Sequence, residues 1–557
     1  MAVSLAACGS NSGSNSDTES SAPAATSAAQ EETSAGEASS KAAEEENSTA
    51  TGGIMNAGAY LTDDNLNNLV PWQRTTSGSM MAAIDNLIYE PLFQYNNKAG
   101  ALESCLGDAD SRTWNADTTE LTVQLNTDAK WQDGEDFTSA DVVYTFETIR
   151  DNPQYDEYGV WGKLDEVTAE GDDAVVFKCS APFLALENYL GFISIVPEHL
   201  WSSEDVSNFA NPDPVGTGPF IYSNYTVGTS VELTSNTDYW MGAPKIDGIT
   251  VVMYNSSPNL TLALISGDID VSIDNTITMA SVSEFLQQEN ASMDLFTGMG
   301  NFCVMINEDN PLLADAAVRK ALCMAVDPQT VIQRGEYNCQ KATSIAWLPD
   351  AFGDLVNQDA ANSLAYDPDG AMKVLQDAGY VKGDDGVYAK DGNRLSFTYY
   401  NASGAPAQQA EAGIIQQYLL NIGVEIIPKV ATWAELANIE AEGSFDLLQN
   451  SITFPADAYV AFDNSFSTDG NTNYFNYSNP EMDDLLSQAS LETDHDKLVE
   501  IYGKIQDILA QDYVFIPMYN SGSHIPYYDG TMFAGWDTYP DHSVVSTQNL
   551  ISIYPVQ

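Results

Sequence analysis

Between Leu121 and Arg150 the hydrophobic positions change their period. Leu121, Val123 and Leu125 alternate with polar neighbours, as a strand with one buried face does, and Val142, Phe146 and Ile149 then recur at helical spacing. Asp133-Gly134 supplies a turn between the two. Thr138 with Asp141 forms a capping box, and Phe137 and Val142 stand where a hydrophobic staple would fix the chain's entry into the helix. The pattern predicts strand, turn and capped helix. Comparable units follow. Ala371, Val374, Leu375 and Ala378 make one helical face, opened by Asp367-Pro368 and closed by Gly379. Ile414, Ile415, Tyr418 and Leu419 make another, followed after Gly423 by alternation at Val424 and Ile426. Leu498, Ile501, Tyr502, Ile505 and Leu509 run as a helix into the apolar stretch Val514 to Met518. Such alternation of helices and strands favours an α/β body, and no repeat at solenoid spacing is present.

The same pattern stops short of the N-terminus. From Ser10 to about Gly53 the chain is Ser, Ala, Gly, Glu and Thr with almost no large apolar residue, so residues 9–53 are expected to form a disordered acidic tether. Glu31, Glu32, Glu37, Glu44, Glu45 and Glu46 would extend it by self-repulsion. Ahead of it, residues 1–8 read MAVSLAAC, and Leu5-Ala6-Ala7-Cys8 followed by Gly9 resembles the end of a bacterial lipoprotein signal. The charged start and most of the apolar stretch of such a signal are missing, which points to a misplaced translation start or a trimmed sequence. Cys8 is the expected lipidation site.

At 557 residues, 44% of them hydrophobic, the chain is long enough for two or three domains. No later segment offers the roughly 18 uninterrupted apolar residues that a membrane span needs, so any membrane link is expected at the N-terminus alone. Eighty acidic against 20 basic residues give a net charge of -60, which opposes binding to nucleic acid through phosphate contacts. That charge fits the solubility of an exported protein better than it identifies a ligand. Six cysteines, at 8, 105, 179, 303, 323 and 339, form no Cys-x-x-Cys pair and no zinc spacing, so buried free thiols are the default expectation and no metal site is expected.

Lys130-Trp131-x-Asp133-Gly134 and Ala140-Asp141-Val142-Val143-Tyr144-x-Phe146 closely resemble the signature region of the family 5 extracellular solute-binding proteins, the oligopeptide and dipeptide receptors of ABC importers. Further segments fall in that family's order and span nearly everything after the tether. They include Tyr89-Glu90-Pro91-Leu92, the Gly216-Thr217-Gly218-Pro219 turn, Asn236 with Tyr239-Trp240, the run from Ala263 to Asp270, Val318-Arg319-Lys320-Ala321-Leu322, Tyr366-Asp367-Pro368 and Asn479-Pro480-Glu481. The resemblance implies a two-lobe periplasmic-binding-protein-like fold of the type II class, with the ligand enclosed between lobes and an extra domain inserted in lobe one. Lobe one would comprise residues 54–97, 213–298 and 521–557, the insert 98–212, and lobe two 299–520. It implies a monomeric receptor held at the outer face of the bacterial cytoplasmic membrane by its lipid anchor, handing its solute to ABC permease subunits.

Peptide receptors of this family carry an acidic residue after a Gly-Trp in lobe two that pairs with the peptide's amino terminus. In this chain the corresponding region reads from Asn450 to Asp457, the Gly-Trp is absent, and Thr453 or Phe454 stands where that Asp would be. Asp457 is a substitute, although its register suits a later Asp of the family pattern better. A buried charge without its partner is costly, so a ligand with an uncharged end is expected. The candidate pocket combines Tyr89 and Glu90 from lobe one with Phe302, Trp433, Thr453, Phe454 and Asp457. Its ligand is expected to be an oligopeptide or dipeptide, with oligosaccharides or nickel chelates as alternatives and no cofactor. The rival class is a secreted glycosidase using two of the many carboxylates. Against it, the chain has no Gly-x-Ser-x-Gly, His-Glu-x-x-His or Gly-x-x-x-x-Gly-Lys motif, and its histidines at 199, 495, 524 and 542 are scattered.

Overall fold

The three largest sheets organise the described residues. The computed structural model describes residues 51–556 apart from 61–68, 73–84, 97–100, 157–158, 274–278, 297–299, 337–339, 404, 454–456, 493, 521–522 and 540–543. Cys8 and residues 9–50 of the expected tether lie outside the described residues, while at its end the Gly52 N–H donates to the Lys245 carbonyl at 2.8 Å and the Gly53 N–H to the Asp247 carboxylate at 2.9 Å. The first sheet has seven strands in the order Ala291–Phe296, Ser523–Tyr528, Val271–Ser272, Ile54–Tyr60, Gly248–Tyr254, Ser230–Ser235 and Phe220–Thr226. Ile54–Tyr60 runs parallel to Gly248–Tyr254, with Ile54 opposite Gly248. Helices Ser257–Ser266 and Met279–Phe285 bring Leu260, Leu264, Val282 and Phe285 into a small core of their own beside this sheet.

The second sheet has five strands, ordered Glu425–Ala431, Ser396–Ala402, Leu447–Thr453, Gly300–Ile306 and Phe515–Asn520. The alternation at Val424 and Ile426 continues here as an edge strand that holds Pro428, a residue an edge tolerates because it has no N–H to give the ladder. Helices Pro406–Asn421, Pro368–Asp377 and His495–Asp512 take their places as the periodicity predicts, each with its apolar stripe inward: Ile415 and Leu419, Ala371 and Leu375, Ile505 and Leu509 are all buried.

A third, four-stranded sheet orders Thr113–Trp114, Glu120–Gln124, Ala174–Cys179 and Leu164–Ala169. The predicted helix, Ser139–Asp151, packs on it with Val142, Phe146 and Ile149 buried, and Phe146 meets Phe177 edge to face at 5.0 Å. Asp141 does more than cap. One of its carboxylate oxygens accepts from the Thr138 N–H at 2.9 Å and from the Trp131 indole at 3.3 Å, and the other accepts from the Glu198 N–H at 2.9 Å. Asp133, in the turn, meets His199 Nε2 at 2.7 Å. The motif residues therefore hold the third body together from inside.

Gln132 ties that body to the first sheet. Its side-chain amide donates to the carbonyls of Gly218 (3.1 Å) and Phe220 (2.8 Å) and accepts from the Gly216 N–H at 3.1 Å. The glycine at 216 has a steric reason: a Cβ there would lie 1.7 Å from the Ile88 carbonyl oxygen. The first and second sheets are joined differently. The chain passes from one to the other after Phe296 and returns after Asn520, since Ala291–Phe296 pairs with Ser523–Tyr528 in the first sheet and Gly300–Ile306 with Phe515–Asn520 in the second.

Candidate ligand cleft

The crossovers mark one edge of the five-stranded sheet. Ser396–Ala402, Glu425–Ala431 and Leu447–Thr453 are parallel and all end at that edge, where Thr453 pairs with Gly300 and Asn301 with Asn520. In open α/β sheets, ligands lie outside the carboxyl ends of strands. Trp433 belongs to this edge. It is half-buried and begins the helix Trp433–Ala441, which follows directly on the edge strand and is closed by a capping box, Thr432 N–H to Glu435 at 2.8 Å and Glu435 N–H to the Thr432 hydroxyl at 3.3 Å. Thr453 ends its strand at the same edge, while Phe454 lies outside the described residues.

Asp457 follows at the head of helix Ala458–Phe466, where its carboxylate accepts from the Val460 N–H at 2.8 Å. Burial pushes this carboxyl up to about 6, against the lowering effect of those backbone donors. Its acceptor capacity is therefore partly committed to the helix start. Phe302 lies one step inside the edge, 6% exposed and stacked on Tyr519 with ring centroids 4.7 Å apart and planes 12° apart. Asn301 is wholly buried and donates to the Trp347 carbonyl at 2.6 Å, which fixes the sheet next to the crossover.

Tyr89 and Glu90, the two candidates from the first lobe, sit deeper than the others. Both are 1% exposed and face inward in the seven-stranded body. The Tyr89 hydroxyl accepts from Asn211 at 2.7 Å. The Glu90 carboxylate accepts from the Tyr239 hydroxyl at 2.6 Å, the Trp240 indole at 3.1 Å and the Cys105 thiol at 3.6 Å. Three neutral donors thus surround a carboxylate that is almost wholly buried. The cause is the close crossing of residues 216–218 over the backbone at Leu87 and Ile88, where Gly218 N–H bonds the Ile88 carbonyl at 2.9 Å. Motif segments far apart in sequence, at 89–90, 132, 216–218 and 239–240, thus converge on one internal knot.

The sequence reading missed a second buried acid. Glu411, wholly buried on helix Pro406–Asn421, accepts from the Gln449 amide at 2.6 Å and the Tyr519 hydroxyl at 3.1 Å, and Tyr399 in turn donates to Gln449 at 2.9 Å. Burial, then the neighbouring acid Glu336, drive the Glu411 carboxyl well above the carboxylate range. A signal was present: Glu411 precedes Ile415 and Leu419 by four and eight residues, so it shares their buried stripe. Cys105, Cys179, Cys303 and Cys323 are buried free thiols, and Cys339 lies outside the described residues. Among the described residues no group of three or more His, Cys, Asp or Glu side chains could hold a metal ion, and no helix is long and apolar enough to cross a membrane. An open depression of about 540 Å³ bordered by Asn307, Thr398, Lys429 and Asp446 sits at the opposite end of the five-stranded sheet, away from the crossovers.

The family model for bacterial extracellular solute-binding proteins, family 5, middle region, matches residues 107–473. The oligopeptide-binding protein AppA of Bacillus subtilis (strain 168) is 25% identical over 423 residues, covering 72% of this chain and 76% of AppA. The solved structure of AppA from Bacillus subtilis in complex with a nonapeptide superposes with a TM-score of 0.77 at 21% identity, covering 91% of this chain and all of that one. A periplasmic oligopeptide-binding protein from Thermotoga maritima with mannohexaose bound superposes with a TM-score of 0.76 at 22% identity, covering 90% and 98%. The likeness extends over the whole two-lobe architecture.

Proposed function

Because the chain belongs to the family 5 bacterial extracellular solute-binding proteins, we propose that it is the extracytoplasmic receptor of an ABC importer, capturing oligopeptides or dipeptides between its lobes and delivering them to the permease. The observation that carries this is the pairing on either side of the junction, Ala291–Phe296 with Ser523–Tyr528 in one sheet and Gly300–Ile306 with Phe515–Asn520 in the other, so that two consecutive strand pairs join two sheet-centred lobes and the carboxyl ends of the second sheet lie at the junction. Such a joint permits hinge closure, and contacts from a solute to both lobes would stabilise the closed form. The chain binds and releases its solute without converting it, is monomeric, and is anchored through a lipid on Cys8 at the outer face of the membrane. The AppA structure is a complex with a nonapeptide and that of the Thermotoga maritima protein has mannohexaose bound. Solute class is therefore the point to test.

With Asp457 engaged as a helix cap and no acid at Thr453 or Phe454, the site is expected to read a peptide's main chain rather than its amino terminus. Thermal-shift measurements with a peptide panel, each peptide supplied with a free and an acetylated amino terminus, test both statements. Binding raises the melting temperature in proportion to the logarithm of ligand excess. Equal shifts from the two forms are the expected result. A shift lost on acetylation overturns the terminus reading, a shift with mannohexaose and with no peptide overturns the peptide reading, and cleavage of any peptide overturns the receptor reading. Replacement of Cys8 by serine is expected to release the protein from the membrane fraction; retention would overturn the anchor.

A further inference from the structure

The inserted body touches the second lobe directly, at a place separate from the strand edge described above. Lys163 Nζ lies 2.9 Å from Asp463 Oδ2, with side-chain exposures of 35% and 8%. The same ammonium sits 5.4 Å from the centre of the Phe183 ring, and Phe183 meets Tyr459 edge to face at 5.6 Å. A backbone bond joins the two sides as well, Leu184 N–H to the Ser490 carbonyl at 3.3 Å.

Each half is held rigidly in its own body. On the insert, the Lys163 carbonyl accepts from the Ser180 N–H at 3.0 Å, and the Phe183 N–H donates to Thr118 at 3.0 Å. On the lobe, Tyr459 and Asp463 are one turn apart on helix Ala458–Phe466. Since Gln132 fixes the insert to lobe one, these contacts can form only when the two lobes are close. Opening would return Asp463 and the Phe183–Tyr459 contact to water. Rehydration of the ions offsets much of their attraction, whereas the aromatic contact has no such compensation.

We propose that Lys163 and Phe183 of the insert, with Asp463 and Tyr459 of lobe two, form a clasp that favours the closed arrangement of the lobes independently of any solute. The insert thereby sets how much of the population stands closed before ligand arrives, and so the apparent affinity for whatever is carried. The proposal rests on the two-lobe fold and not on the identity of the solute, so its test uses no ligand.

The full chain, with dyes on cysteines introduced at exposed Asp172 and Asp384, is followed by single-molecule energy transfer. Lys163→Gln, Asp463→Asn and Phe183→Leu are each expected to raise the open-to-closed ratio about fivefold or more. The Lys163→Gln/Asp463→Asn double variant is expected to open no further than either single one, because the two changes remove the same contact. Higher salt is expected to narrow the difference between wild type and Lys163→Gln, leaving that of Phe183→Leu in place. Ratios within twofold of wild type for all three single variants overturn the clasp. A double variant whose effect is the product of the two singles overturns the pairing. Lys163→Gln, at a partly exposed side chain, keeps the test decisive if a change at Phe183 prevents folding.

Discussion

Each lobe buries a glutamate with almost no exposure, and the two are treated in opposite ways. Glu90 in lobe one accepts from a tyrosine, a tryptophan and a thiol. Glu411 in lobe two has a tyrosine and an amide for donors, and its neighbour is another acid, Glu336. Burial raises both carboxyls above their ordinary range, but only Glu411 has a second acid adding to the shift. Donors alone make a buried acid a structural knot; a second acid beside it makes the site hold a proton. Lobe one uses its acid to tie motif segments together, and lobe two has one whose charge state depends on pH.

The comparison breaks most visibly at Glu90. Glu90→Ala leaves the partly buried Trp240 N–H without its acceptor and the buried Tyr239 hydroxyl with only the Met241 sulfur, 3.3 Å away, and a loss of about 3 kcal/mol in urea unfolding is expected. A loss under about 1 kcal/mol would mean the knot is not a stabilising centre. Gln132→Ala, which removes three side-chain bonds to the same region and leaves the Gln132 backbone bond to the Gly216 carbonyl, is expected to cost about 2 kcal/mol and to speed proteolysis between the insert and lobe one. Unchanged cleavage rates would show that other contacts hold the insert.

Glu411→Gln probes the opposite case, through pH. Because the folded-state pKa of Glu411 is raised, its stabilising contribution is complete below the unfolded value near 4 and is lost as pH rises through the folded value. Asp457, held up to about 6, gives stability that fades between about 4 and 6 in the same direction. Melting temperature is therefore expected to fall from pH 5 to pH 8 in the wild type and to fall less in Glu411→Gln. Identical profiles would show that Glu411 ionises at its ordinary pKa. The smallest effect is expected from Cys105→Ser, which keeps a donor toward Glu90, at under about 1 kcal/mol; a larger loss would assign the thiol a packing role beyond its hydrogen bond.

Much of the secondary structure was legible in the sequence, because apolar period and caps are local. The helix from Ser139 to Asp151 carries its box and its buried face in the letters themselves, and so does the helix that starts at Asp367-Pro368. The candidate site was less so. Trp433 and Thr453 fall on one strand edge, but Tyr89 and Glu90 turn inward, since nothing local records that Gly216 and Gly218 cross over Leu87 and Ile88. Glu411 could have been found from its helical phase. The Lys163–Asp463 pair, 300 residues apart, could not.

By itself, then, the sequence determined the elements and the family. Those are properties of short windows and of their order. Tertiary structure alone decided which motif residues are internal ties and which stand at the junction of the lobes, and it alone set Lys163 against Asp463 and Glu336 against Glu411. Burial and charge pairing depend on what the rest of the chain brings to each side chain, and no short window contains that.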